Sequence, residues 1–292
     1  MRAGLIVNAD DLGIDAPTTR GILSAHQHGI VSSATLMVTM PAAEEAARTA
    51  RAAELPVGLH VCLTQGRAAS GPDVYRLVDH CGMFKLGPQH LIRAGPSDAT
   101  LIDHIRAEIK AQLAWAVDLG LTLTHVDSHQ HVHMNPTLFA VLEEEALAFG
   151  IRRIRFAREP LRALFLLGAY SQIVKRNNLA KWLITRAYAR RIKPRLETPD
   201  LFFGILNSGA VVKRVLLTLL ATIPTNKSVE ICVHPGLPDR SLLGSDNRFE
   251  AFSTSVFRRL EHEALVDPDV RALIRKRGLL LQSFDGKPKH LL

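Results

Sequence analysis

The chain has 292 residues, 47% of them hydrophobic and 22% charged, with 19 glycines and 15 prolines, which suits one large domain and excludes collagen, coiled coil and wholesale disorder. No run reaches the roughly 18 apolar residues of a bilayer span, the opening MRAGLIVNADD meets an acidic pair too early for a secretory leader, and Cys62, Cys81 and Cys232 build no CxxC pair or disulfide framework; a cytoplasmic location is expected. Nine basic residues and no acid fall within Leu161–Arg195, so the net +8 leaves the rest of the chain at about −1, and charge that local argues against a nucleic-acid groove.

In chain order, short apolar runs alternate with helix-period stretches. Gly4–Ala9, Ser32–Val38, Val57–Leu63, Thr124–His129, Arg152–Ala157, Leu201–Leu206, Val229–Pro235 and Gly278–Phe284 read as strands. Between them Pro17–His28, Pro41–Glu54, Thr100–Leu119, Pro136–Phe149, Ala210–Ala221 and Phe249–Ala264 read as helices, with Pro41 and Pro136 where a first turn tolerates proline. Such alternation predicts an α/β protein with a mainly parallel sheet and outer helices. Seven or eight strands in under 300 residues favour a TIM-like barrel, complete or incomplete, over an open sheet, as one domain. Two interruptions stand out: Thr64–Ala99, a long loop of the kind that serves as a lid or binding loop, and the basic Leu161–Arg195 segment, read as a helical insertion.

The polar residues collect where strands end. Asp10 and Asp11 follow the first strand, His60 ends the third, His129 the fourth and His234 the seventh, and the C-terminal ends of parallel barrel strands form the active-site face. One carboxylate with two neutral imidazoles makes a three-ligand metal site open to water and substrate. A second carboxylate can act as base and a protonated imidazole as acid, the layout of a metal-assisted amide or ester hydrolase. Each element has a plainer reading: Asp10-Asp11 can shape a turn or cap a helix, and His60 can be a core histidine. The run His125, Asp127, His129, His131, His133 puts five polar groups on one face if the backbone stays extended. His26 and His28 sit in a helical pattern where i and i+2 diverge, and read as structural.

LIVNADDLG, VGLHVCLTQG, HVDSHQHVHMNP, ICVHPGLPD and the closing RKRGLLLQSF together resemble the YdjC-like carbohydrate deacetylases, in order over nearly the whole chain. The resemblance implies a distorted (β/α) barrel and removal of an N-acetyl group from an amino sugar. On it, Asp11, His60 and His129 bind one divalent metal, Asp10 is the general base and His234 the general acid. His131, His133, Asp127 and Arg155 are expected substrate contacts. Two imidazoles favour Zn2+ on ligand softness, while the resemblance also admits Mg2+.

The basic insertion distinguishes this chain from short relatives and resembles longer ones associated with hopanoid biosynthesis, which act on an N-acetylglucosaminyl lipid. Apolar residues at helical spacing beside nine positive charges and Trp182, Tyr170 and Tyr188 fit a helix lying on anionic lipid at the inner membrane face. The alternative is a helical pair packed on the barrel or in a homo-oligomer contact. Soluble chitooligosaccharide is the alternative substrate, and a metal- or sugar-binding protein without catalysis the reading from another class. Retention of both Asp10 and His234 argues against the last.

Overall fold

The computed structural model describes residues 1–161, 163, 176–237 and 254–291. Six strands, β1 (Gly4–Leu12), β2 (Ser33–Leu36), β3 (Val57–Val61), β4 (Val126–Ser128), β5 (Leu201–Phe203) and β6 (Ser228–Val233), form one parallel sheet in the order β4-β3-β2-β1-β6-β5. Around it lie α1 (Ala16–Gln27), α2 (Ala43–Ala52), α3 (Pro88–Leu91), α4 (Ala99–Asp118), α5 (Pro136–Ala148), α6 (Arg176–Ala189), α7 (Lys213–Thr222), α8 (Val256–Val266) and α9 (Pro268–Lys276). Side-chain oxygens of Asp15, Asp98, Asn135, Ser255 and Asp267 accept first-turn amides, fixing where α1, α4, α5, α8 and α9 begin.

Alternation along the strands produces two unlike faces. Val7, Ala9, Leu36, Leu59, Val61, Ile231 and Val233 pack outward under the helices, while Asn8, Asp10, Thr35, His60, Asp127 and Glu230 form a buried polar interior. The sheet curls, and Arg155 demonstrates it. In a flat sheet β4 and β6 would be four spacings, roughly 19 Å, apart. The Arg155 guanidinium nonetheless lies 2.5 Å from Asp127 on β4 and 2.7 Å from Glu230 on β6. The two sheet edges approach as well, His131 after β4 standing edge-on to Phe202 of β5 at 5.5 Å. The architecture is the expected α/β barrel in curled, incomplete form.

Two of the eight expected strands become single bridges. In Arg152–Ala157, Ile154 bridges Val126 and Arg153 bridges Glu197; in Gly278–Phe284, Leu281 bridges Leu5. Both segments are too short of apolar alternation to sustain a ladder: arginines break the first, and Leu280, 50% exposed, turns away in the second. The expected loop Thr64–Ala99 holds α3 and two antiparallel bridges, Arg67–Met83 and Val78–Phe84. Helix α9 was not legible as separate from the closing strand. The expected helix Phe249–Ala264 is met by α8 from Val256 onward, its residues 249–253 lying outside the described set, as do 162 and 164–175 of the basic insertion. Gly58 fits the interior closely: a Cβ there would come within 2.5 Å of the His125 ring, which stacks on Phe284 at 3.6 Å. Among the described residues no helix is long and apolar enough to cross a membrane.

Candidate active site at the carboxyl ends of the strands

Asp10 and Asp11, near the end of β1, face the same way because the strand bulges. Asp11 adopts φ +67°, and the β1–β2 register shifts between Ala9 and Leu12. A non-glycine residue in this region is held there by its surroundings. Here both Asp side chains turn into the interior instead of alternating. A pair of such residues, Gln130 and His131, both at φ +58°, follows His129. The extended backbone therefore stops at Ser128, and the single-face ladder expected for His125 through His133 breaks after His129.

Three ligand atoms converge. Asp11 Oδ1 lies 3.2 Å from His129 Nδ1 and 3.6 Å from His60 Nε2, and all three residues are buried. Asp11 Oδ1 accepts no well-formed hydrogen bond although it is shut away from water; an orphaned buried carboxylate oxygen facing two imidazole nitrogens is a donor set suited to a divalent cation. Asp11 Oδ2 accepts from Arg258 of α8 at 2.9 Å, and His60 Nδ1 bonds Asp127 Oδ1 at 2.6 Å. The latter is the carboxylate–histidine arrangement that orients a metal-binding imidazole. Thr35 Oγ1 stands 3.3–3.4 Å from Asp10, His60 and Asp127 and knits them together.

Electrostatics favour the same point. Burial works to lower the His60 pKa, but Asp127, Asp10 and Asp11 outweigh it and push it up to about 9. That negative field attracts cations generally. Burial lowers the His129 pKa against the pull of Asp11, leaving its ring neutral near pH 7. Burial alone would raise the Asp10 pKa, yet Arg155, His60 and His234 hold it well below the ordinary carboxylate range. Arg155 grips Asp10 with two bonds of 2.7 Å.

His234, one residue past β6, has a side-chain nitrogen within 4.8 Å of an Asp10 oxygen and the Cys232 sulfur. Its backbone amide donates to Glu261 of α8 at 2.5 Å. Asp10, Asp11, His60, His129 and His234 are thus brought to one mouth, as four separate strands predict. Four other residues occupy different places from those expected. Asp127 and Arg155, expected as substrate contacts, are 0% exposed and lie behind Asp10 and His60, bonded to one another, to those two residues and to Glu230. His133 bonds Ser128 Oγ and the Arg155 carbonyl, which commits both ring nitrogens; burial, reinforced by Arg155, pushes it down to about 3. His131 Nδ1 is buried without a hydrogen bond, its ring against Phe202.

Sequence reasoning missed Thr35, Glu230, Arg258 and Glu261. Glu230 carries a signal: an acid two residues before Cys232 in an apolar strand must face the interior. Burial pushes its carboxyl up to about 8 despite Arg155. Arg258 and Glu261, three apart on α8, are likewise buried charges on a helix's inner face.

The sequence and the fold have counterparts. A family model described as YdjC-like protein matches residues 4–276. A carbohydrate deacetylase of Geobacillus stearothermophilus is 34% identical over 96% of each chain, and a chitooligosaccharide deacetylase of Serratia marcescens 33% identical over 96% of this chain and 97% of its own. A crystal structure from Enterococcus faecalis V583, provisionally described as a cellobiose-phosphate cleavage protein, superposes with a TM-score of 0.75 at 25% identity, covering 98% of both chains. On match length, order of motifs and fold together, the chain belongs to the YdjC-like family.

Proposed function

We propose that the chain is a metal-dependent carbohydrate N-deacetylase that hydrolyses the acetamido group of an amino sugar. The observation that carries this reading is the convergence of Asp11 Oδ1, His60 Nε2 and His129 Nδ1 beside Asp10 and His234. The names of relatives matched over nearly their full length support it. A divalent cation held by Asp11, His60 and His129 would supply Lewis acidity for the acyl oxygen and lower the pKa of water. Asp10, kept ionised and fixed by Arg155, takes a proton from the attacking water. His234, in its protonated form, gives a proton to the sugar nitrogen as the C–N bond breaks, and acetate leaves. Asp127 positions His60, and Arg155 positions Asp10, so neither needs to touch substrate.

A second reading concerns the substrate's other end. On α6, Leu179 and Leu183, four residues apart, are 41% and 55% exposed, and Arg190, Arg191 and Lys193 just beyond are exposed too. Apolar and basic groups on one exposed stretch favour a lipid-linked acetamido sugar of hopanoid type, reached by a protein resting on the inner membrane face, over a soluble chitooligosaccharide. The decisive experiment measures acetate release from an N-acetylglucosaminyl lipid and from chitobiose, with metal chelated and then restored as Zn2+ or Mg2+. Release should stop with chelation and return with metal. Metal-independent release overturns the ligand assignment, and acetate from neither sugar overturns the function.

A further inference from the structure

A second concave site lies at the opposite end of the sheet. A cleft of about 550 Å³ is lined by His26, His28, Ala53, Arg271, Lys289 and His290, with Gln27, Gly29, Val266 and Leu291 completing its wall. Residues 26–29 lead into β2 and Ala53 into β3, so the cleft opens at the amino ends of parallel strands whose carboxyl ends carry the catalytic groups. The guanidinium of Arg271, the amine of Lys289, whose pKa burial lowers, and three imidazoles converge there, and no carboxylate is among the described lining residues. Neighbouring Asp267 is taken up by Lys213 at 2.8 Å, while Glu54 and Glu263 stand outside the lining.

The bland explanation is helix capping. Lys289 Nζ donates to the His26 carbonyl at 2.6 Å and Arg271 to the His28 carbonyl at 3.2 Å, both at the end of α1. A helix C-terminus offers only about half a negative charge, against two full positive ones. Arg271 has five N–H donors and Lys289 three, so most remain for another acceptor. His26 feels the excess: burial and the Lys289 charge together lower its pKa. Its Nδ1 is fixed on the Val31 carbonyl at 2.9 Å.

We propose that this cleft binds a phosphate group, free or as a phosphomonoester, through Arg271 and Lys289 with the histidines as its wall. The site is independent of the deacetylase reading and remote from it. A phosphate can come from a small metabolite or from a lipid headgroup, and the experiment separates the sources. Inorganic phosphate, glycerol phosphate and phosphatidylglycerol vesicles are titrated into the full chain by calorimetry. The histidine ring protons of His26, His28 and His290 are followed by NMR for the soluble ligands. The prediction is saturable binding of soluble phosphate that moves these signals but not those of His60 or His129. Arg271→Gln and Lys289→Gln should each weaken it at least tenfold while leaving acetate release unchanged. Binding to vesicles alone, lost in the same variants, assigns the phosphate to a headgroup. Absence of binding to all three ligands, or equal binding by both variants, overturns the proposal.

Discussion

At the scale of the residue, the candidate site is set by a bulge and a buried cation. Asp11 faces the imidazoles only because β1 departs from alternation at φ +67°, and Asp10 keeps its charge because Arg155 compensates burial. Their roles separate by mutation. His129→Ala should lose one equivalent of metal without unfolding, checked by metal analysis and circular dichroism; unchanged stoichiometry would sink the ligand assignment. Asp10→Asn should retain metal but lose roughly 10²–10⁴-fold in kcat. His234→Ala should lose a similar factor on the amide and recover in part on an activated ester, whose leaving group needs no proton. Equal rates on amide and ester relative to the native protein would make His234 structural. That Asp10, Asp11, His60, His129 and His234 gather at one mouth was legible because each lies at or near the end of an apolar run. Arg155 was legible as important but misread, since nothing in RRIRFA says that one arginine points into the barrel while its neighbours face out.

At the scale of the element, six strands and most of the helices, α3 and α9 excepted, were legible from apolar runs and punctuation, because buried parallel strands read as unbroken Val, Ile and Leu. Arg152–Ala157 and Gly278–Phe284 were overcalled because each enters the barrel wall yet makes only isolated bridges, the first to Val126 and Glu197 and the second to Leu5. The path after the fifth run was not legible, because its anchor is tertiary. Glu159 accepts the amides of Gly204 and Leu206 at 3.0 and 2.9 Å, just past β5, and its own carbonyl accepts from Arg186 of α6. Burial, partly opposed by those amides, raises its carboxyl from 4.5 to about 7. Between those values the folded chain holds a proton that the unfolded chain has lost. Its contribution is therefore fully present below about pH 4.5 and declines as pH rises towards 7. Glu159→Gln should flatten the fall in stability across that window by about one proton, read from denaturant melts between pH 5 and 7. Parallel slopes in both proteins would show that Glu159 is ionised in the fold.

At the scale of the molecule, charge and apolar exposure share one region. Arg186 lies over the Trp182 ring at 5.6 Å, with Trp182 itself 3% exposed, so this part of α6 packs on the barrel. Arg190, Arg191 and Lys193 remain at the surface. Each basic residue near an anionic bilayer contributes about 1 kcal/mol, screened by salt. The native protein should co-sediment with phosphatidylglycerol vesicles at low ionic strength and release at high. Replacing Arg190, Arg191 and Lys193 by Gln should abolish this while sparing turnover of a short soluble substrate. If the native protein ignores vesicles at low salt, α6 is a packing element and the soluble-oligosaccharide reading stands alone.

The bridge between Leu5 and Leu281 joins segments nearly a whole chain length apart. Leu5 donates to the Leu280 carbonyl at 2.7 Å and accepts from the Gln282 amide at 2.9 Å, so the start of β1, which β2 does not reach, keeps one side of its backbone unpaired until residues 280–282 dock beside it. An exposed parallel edge invites wrong pairing, and contacts this distant form slowly. The wall of the barrel at Leu5 is therefore closed only when residues 280–282 have docked. Ribosome-bound chains ending near residue 277 should remain open to protease, while those extended far enough to expose residues 278–285 become resistant.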